Sequence, residues 1–237
     1  MKNRILFLIT AVVFCTYSCS NSNETAISES AKADSILMAN AKSIFGTLPE
    51  SAFIDTVQMS EAKVKLGKIL YFDKRLSKDE TQSCNTCHNL ATYGVDNLAT
   101  SKGDNGGFGT RNSPTTFNAA LHAFQFWDGR MKDVEEQAGG PILNPVEMAI
   151  PNEKFLVDRI SKIPMYQELF KAAYPNDAKP IVYKNIQNAI GHFERTLITP
   201  TRFDNFLNGD MAALTAEEKK GLETFNKAGC IACHNGP

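Results

Sequence analysis

Apolar residues recur at helical spacing in several separate stretches of the chain. Between Val182 and Leu197, Ile186, Ile190, Phe193 and Leu197 fall on one stripe, which predicts an amphipathic helix. Shorter helices are predicted over Glu153–Lys162 and Met165–Tyr174, divided by Pro164. Ser60 is placed to cap a helix whose apolar positions are Val64, Leu66, Ile69 and Leu70. Near the chain end, Thr215-Ala216-Glu217-Glu218 reads as a capping box, Leu222, Phe225 and Ala228 share a face, and Gly229 ends the helix. Strand-like alternation is sparse. The expected fold class is mainly α with long functional loops. The glycine-rich stretch Lys102–Gly109 reads as one such loop, without the strand–turn–helix context of a phosphate cradle.

The first segment breaks this pattern. Lys2 and Arg4 precede an apolar run, Ile5–Phe14, interrupted only by Thr10. That is the layout of a secretory signal, and the run is too short to cross a bilayer as a helix. Thr16-Tyr17-Ser18-Cys19 resembles a bacterial lipoprotein cleavage site, although Thr16 stands where such sites usually carry Leu. It predicts a lipid anchor at Cys19, with plain periplasmic release as the alternative. The polar, Ser-rich stretch from Asn21 to about Ala39 reads as a flexible spacer. The expected organisation is a signal at 1–18, a spacer at 19–40, a first module at 41–214 and a second beginning at 215.

Composition adds an exclusion and a clue. Lys and Arg total 25 against 26 Asp and Glu, so binding of nucleic acid through a basic surface is not expected. The 6 cysteines form three close pairs. Cys15 leaves with the signal and Cys19 is the candidate lipid site. The remaining pairs lie in Cys84-Asn85-Thr86-Cys87-His88 and Cys230-Ile231-Ala232-Cys233-His234. C-x-x-C-H is the attachment signature of a c-type haem. Its spacing places two sulfurs on one side of a tight turn, and the adjacent histidine can coordinate iron. A zinc site drawing on both pairs is the competing reading; a thioredoxin-like dithiol lacks its βαβ context here. Each motif follows a helix-like segment, a weak internal repeat that suggests two cytochrome c-type modules in tandem, the second incomplete.

Several segments between and around these motifs carry a resemblance. GTRNSPTTFNAALHAFQFWDGR (109–130), EEQAGGPILNPVEM (135–148) and FERTLITPTRFDNFLNGD (193–210) resemble the bacterial dihaem cytochrome c peroxidase family, with its MauG-type relatives. The resemblance runs from about Leu66 to the chain end. It implies two covalently bound c-type haems: one at Cys84, Cys87 and His88 that is the peroxide site, and one at Cys230, Cys233 and His234 that receives electrons. It implies Glu147 as the distal acid–base residue, Gln137 as its hydrogen-bonding partner, Trp127 on the electron path between haems, and Asn112 at a calcium ion. It implies hydrogen peroxide as substrate and a small reduced cytochrome c or cupredoxin as donor, and it allows a homodimer; the export signal places the protein in the periplasm. Without the resemblance, Glu147 would read as a surface carboxylate, Trp127 as core packing and Asn112 as a turn residue. His122 and His192 read as structural.

Two departures from the family pattern shape the expectation. Many members carry a histidine in the loop after the first haem, whereas here Asp104 or a neighbour takes that place and the loop holds no histidine. Aspartate is a poor ligand for haem iron, so the first haem is expected to be open or water-ligated without reductive activation. Only His234 and three further residues follow Cys233, so the chain reads as a fragment of a longer protein. Two other functions compete with the peroxidase: a non-catalytic dihaem electron carrier, and a MauG-like oxidase that modifies another protein.

Overall fold

A computed structural model describes residues 29–53 and 58–236. The signal-like segment and Cys19 lie outside the described residues. Residues 29–45 are helical (α1). Then follow α2 (Glu61–Phe72), the one-turn α3 (Cys84–Cys87), α4 (Val134–Leu143), α5 (Glu153–Ser161), α6 (Pro164–Ala173), α7 (Tyr183–Glu194), α8 (Arg202–Leu207) and α9 (Ala216–Lys227). Short 3₁₀ turns lie between them. Among the described residues extended pairing is limited to two isolated bridges, Lys102 with Phe108 and Gln125 with Met131. The mainly α expectation holds.

The chain divides into two compact units. One is residues 49–199, which include positions outside the described residues; of the described residues, the other combines 29–48 with 200–236. In the larger unit, α7 is the central element and packs against α2 and α4. Its predicted stripe is buried at Ile186, Ile190 and Phe193; Ala189 beside it is fully enclosed, as are Leu66 and Leu70 of α2. Burying each large aliphatic side chain is worth roughly 1.5–3 kcal/mol. The α2–α7 approach depends on Gly67, because a Cβ there would lie 1.8 Å from the carbonyl oxygen of Ala189. Ser60 caps α2 as expected, with its Oγ accepting from the Lys63 N–H. Pro164 opens α6 at its first turn, where its missing N–H costs nothing. Leu197 lies past the end of α7 yet still packs on the core.

In the second unit the polar spacer expected at 19–40 is corrected in its latter part. From residue 29 the chain is helical, because Leu37, Met38, Ala41 and Phe45 recur on one face. These side chains pack with Phe206, Leu207 and Leu222 in a small core of their own. The predicted capping box of α9 forms, with Thr215 and Glu218 bonding reciprocally. Gly229 then adopts φ 80°, which favours glycine, and ends the helix.

Candidate haem site

The segment entering the first C-x-x-C-H motif is held from several sides. The Arg159 guanidinium donates to the carbonyls of Arg75, Ser77 and Lys78 at 2.8, 2.6 and 2.9 Å. Ser83 precedes α3, and its N–H donates to Thr86 Oγ1 at 2.9 Å. The His88 N–H closes the turn on the Cys84 carbonyl at 2.9 Å. Cys84 and Cys87 are free thiols, and both line one cavity with His88. Burial pushes both thiols above the ordinary cysteine range.

His88 is fixed at two points. Its Nδ1 lies 2.9 Å from the Pro114 carbonyl. A carbonyl only accepts, so Nδ1 carries the proton and Nε2 is the unprotonated nitrogen, the tautomer a metal-ligating histidine needs. Burial also lowers the imidazole pKa and keeps the ring neutral. Behind it, the Tyr71 hydroxyl donates to the His88 carbonyl at 2.7 Å and lies 3.1 Å from Thr116 Oγ1.

The cavity has a volume of about 400 Å³, within the range of cofactor sites. Its walls bring together residues far apart in sequence: the α3 turn, the loop 101–116, α4 and the segment 144–148. Gln137, Ala138 and Pro141 of α4 face it. Pro141 sits inside α4, and the chain then turns at Asn144. Asn144 Oδ1 accepts from the Val146 N–H at 3.1 Å, and its Nδ2 donates to Glu147 Oε1 at 3.0 Å. The same amide therefore shapes the turn and holds the carboxylate. Burial raises the Glu147 pKa above its ordinary value, against the lowering effects of Asn144 and Arg130.

The other candidate residues are placed as follows. Gln137 lines the same cavity as Glu147, while the side-chain partner of Glu147 is Asn144. Trp127 is exposed, borders the cavity, and donates from Nε1 to the Asn112 carbonyl at 2.8 Å. Asn112 donates from Nδ2 to the Leu98 carbonyl at 2.7 Å. Among the described residues no group of three or more His, Cys, Asp or Glu side chains is gathered for a metal ion. His122 is exposed and does not line the cavity. His192 is buried, with Nδ1 donating to the Asn188 carbonyl at 2.9 Å and its ring edge-on to Phe53.

Three features were not read from the sequence. Asn144 precedes a proline, a pattern that signals a turn but not a carboxylate holder. Glu194 of α7 is 4% exposed and lines the cavity. Burial, aided by nearby Glu135, pushes its pKa up to about 8. Arg111 and Arg130 both pair with Asp128 at 2.8 Å on the cavity wall.

The second motif repeats the first turn. The His234 N–H closes on the Cys230 carbonyl at 2.9 Å, the same distance as in the first motif. Cys230 borders an open groove with Phe225 and Thr224 of α9. The Phe225 and His234 rings meet edge to face at 6.1 Å.

The residues fit a covalently attached haem. Two free thiols and a neutral, oriented imidazole share one cavity, and arginines in its wall can meet acidic substituents. These features are compatible with a c-type haem site that has a carboxyl group in its wall. Residues 61–212 match the di-haem cytochrome c peroxidase family, and the chain belongs to it. It is 47% identical over 208 residues to the cytochrome c551 peroxidase of Pseudomonas aeruginosa, covering 87% of this chain and 60% of that protein. It is 46% identical over 175 residues to the cytochrome c551 peroxidase of Nitrosomonas europaea, covering 73% of this chain and 51% of that one. A solved MauG-like protein associated with microbial copper homeostasis superposes with a TM-score of 0.68 at 31% identity, over 76% of this chain and 53% of that one. The chain thus spans about half to three-fifths of the length of these relatives. The family is di-haem, and the chain holds two C-x-x-C-H turns.

Proposed function

We propose that this chain carries the peroxide-reducing site of a di-haem cytochrome c peroxidase. The overall reaction takes hydrogen peroxide, two electrons and two protons to two waters. The electrons come from a small reduced cytochrome c or cupredoxin. The observation that carries this reading is the position of Glu147, whose carboxyl group shares a cavity with Cys84, Cys87 and His88.

A haem attached at Cys84 and Cys87 and ligated by His88 supplies the redox chemistry when bound. The chain's own residues do the rest. The Pro114 carbonyl holds His88 in its ligating tautomer. Glu147 takes the proton from one oxygen of peroxide and returns it to the other, which becomes water. Its raised pKa brings acid and base forms closer together near neutral pH, as such a carrier requires. Asn144 aims the carboxylate. Gln137, on the same wall, is a hydrogen-bonding group for the bound oxidant. Ala138, Pro141 and Met148 keep that wall apolar. The exposed indole of Trp127 would serve electron entry toward this cavity, and Cys230, Cys233 and His234 would hold the second haem, which would supply those electrons. Asn112 would contribute one ligand to the calcium ion that the family resemblance implies. The first module is read as 41–214, and a second begins at 215.

The protein works in the periplasm, following a signal segment, with a lipid on Cys19 as its anchor, and as a homodimer. Among the described residues no helix is long and apolar enough to cross a membrane. The test is to produce the complete protein with haem-maturation machinery and follow oxidation of reduced donor when peroxide is added. Rapid peroxide-dependent oxidation supports the proposal. Redox cycling of the haems without peroxide consumption identifies an electron carrier instead.

A further inference from the structure

Asp104 has no task in the account above, yet it is among the most heavily bonded side chains of the larger unit. It is 9% exposed. Its carboxylate accepts four hydrogen bonds: from Ser77 Oγ at 2.8 Å, Thr81 Oγ1 at 2.6 Å, and the N–H groups of Asp79 and Thr81 at 2.7 and 3.1 Å. These donors hold its carboxyl below the ordinary range despite burial. Ser77 Oγ also accepts from the Gln82 N–H at 3.0 Å, two residues before Cys84. One carboxylate therefore gathers the whole segment that enters the haem-binding turn.

The other side of Asp104 reaches Glu147. Its N–H donates to the Glu147 carbonyl at 2.7 Å. The neighbouring Gly103 lies so close that a Cβ there would be 2.1 Å from the Val146 carbonyl oxygen. Asn105 Nδ2 donates to the Pro145 carbonyl at 2.9 Å. Residues 103–105 thus grip the backbone of residues 145–147. The loop is further closed on itself by Gly103 N–H to the Gly107 carbonyl at 2.8 Å.

We propose that Asp104 is a positioning residue for Glu147: its carboxylate locks the glycine-rich loop to the segment 77–81, and the locked loop fixes the backbone that carries the Glu147 side chain over the site. The proposal rests on Glu147 being the proton carrier. A misplacement of about 1 Å at a reacting group can cost on the order of 10²-fold in rate. Asparagine at 104 would keep the shape but replace one acceptor oxygen with an NH₂ group. With donors already facing both oxygens, at least one of them would then meet another donor.

The experiment compares full-length, haem-loaded wild type with Asp104→Asn, Glu147→Gln and the double variant. Four readouts are taken: the pH profile of kcat at saturating peroxide, the donor KM, hydrogen exchange of the loop amides, and the melting temperature. For Asp104→Asn we expect faster exchange at the amides of 103 and 104. We also expect kcat to fall at least about tenfold with a shifted acid limb, while the donor KM is unchanged. In the Glu147→Gln background the same substitution should cost no further rate, because it acts through Glu147. A lower melting temperature with an unchanged pH profile and kcat would make Asp104 merely structural and overturn the proposal. An equal loss in the Glu147→Gln background would also overturn it. If Glu147→Gln alone leaves turnover intact, the proton carrier itself is wrong and the positioning role goes with it. Should Asp104→Asn not fold, Thr81→Val removes a single donor and is read in the same way, with a smaller effect.

Discussion

Asn144 Nδ2 stands 3.0 Å from Glu147 Oε1, while Oδ1 of the same amide caps the Val146 N–H at 3.1 Å. One side chain thereby sets both the turn and the protonation balance of the carboxylate within it.

Asn144→Asp separates these two tasks. It keeps the cap on Val146 but exchanges the donor facing Glu147 for a second carboxylate. A hydrogen bond to the charged form lowers a carboxyl pKa, and a like charge raises it. The Glu147 pKa, already above its ordinary value, should rise further. Glu147 accepts a proton only when ionised, so the acid limb of the pH–rate profile should move to higher pH, by on the order of one unit. An unmoved limb would separate Asn144 from the titrating group.

The legibility of this site divides along physical lines. C-x-x-C-H is local, so Cys84, Cys87 and His88 could be read directly and fold into one turn. The stripe of α7 was equally plain, because periodicity reports burial whatever the partner. Glu147 and Gln137 were reached only through resemblance, since nothing local marks a carboxylate as facing a cavity. Asn144, Glu194 and the bonds of Asp104 were missed because their partners lie across the fold or depend on side-chain direction. The start of α1 was misread because a polar composition hid a four-residue apolar recurrence.

Glu194 gives a stability prediction with a definite sign. Its pKa is pushed up to about 8 from an ordinary 4.5. The folded state therefore binds a proton that the unfolded chain releases between these values. Its contribution is full below about pH 4.5, declines as pH rises toward 8, and is flat above. The melting temperature of the haem-loaded protein should fall across that window. Glu194→Gln should flatten the fall and be the more stable form at pH 8. Parallel curves for the two proteins would contradict the assignment.

Arg195 and Glu135 form a two-point ion pair, with Nε to Oε1 at 2.7 Å and Nη2 to Oε2 at 2.9 Å. Both side chains are largely enclosed, and Arg195 also donates to the Ala52 carbonyl at 2.8 Å. Arg195→Met leaves Glu135 buried without its partner. Equilibrium unfolding should show a loss of about 3–5 kcal/mol, the usual cost of breaking a buried pair from one side. A loss under about 1 kcal/mol would place the pair effectively in solvent.

The central claim is that the cavity of Cys84, Cys87, His88 and Glu147 is where peroxide is reduced. The most direct measurement is the peroxide-dependent oxidation of reduced donor by full-length, haem-loaded wild type and Glu147→Gln. Haem content and absorption spectrum are matched beforehand. The account predicts a rate lower by about 10²–10⁴-fold in the variant, the range expected for losing a general acid–base group. Equal rates with both haems in place would contradict it.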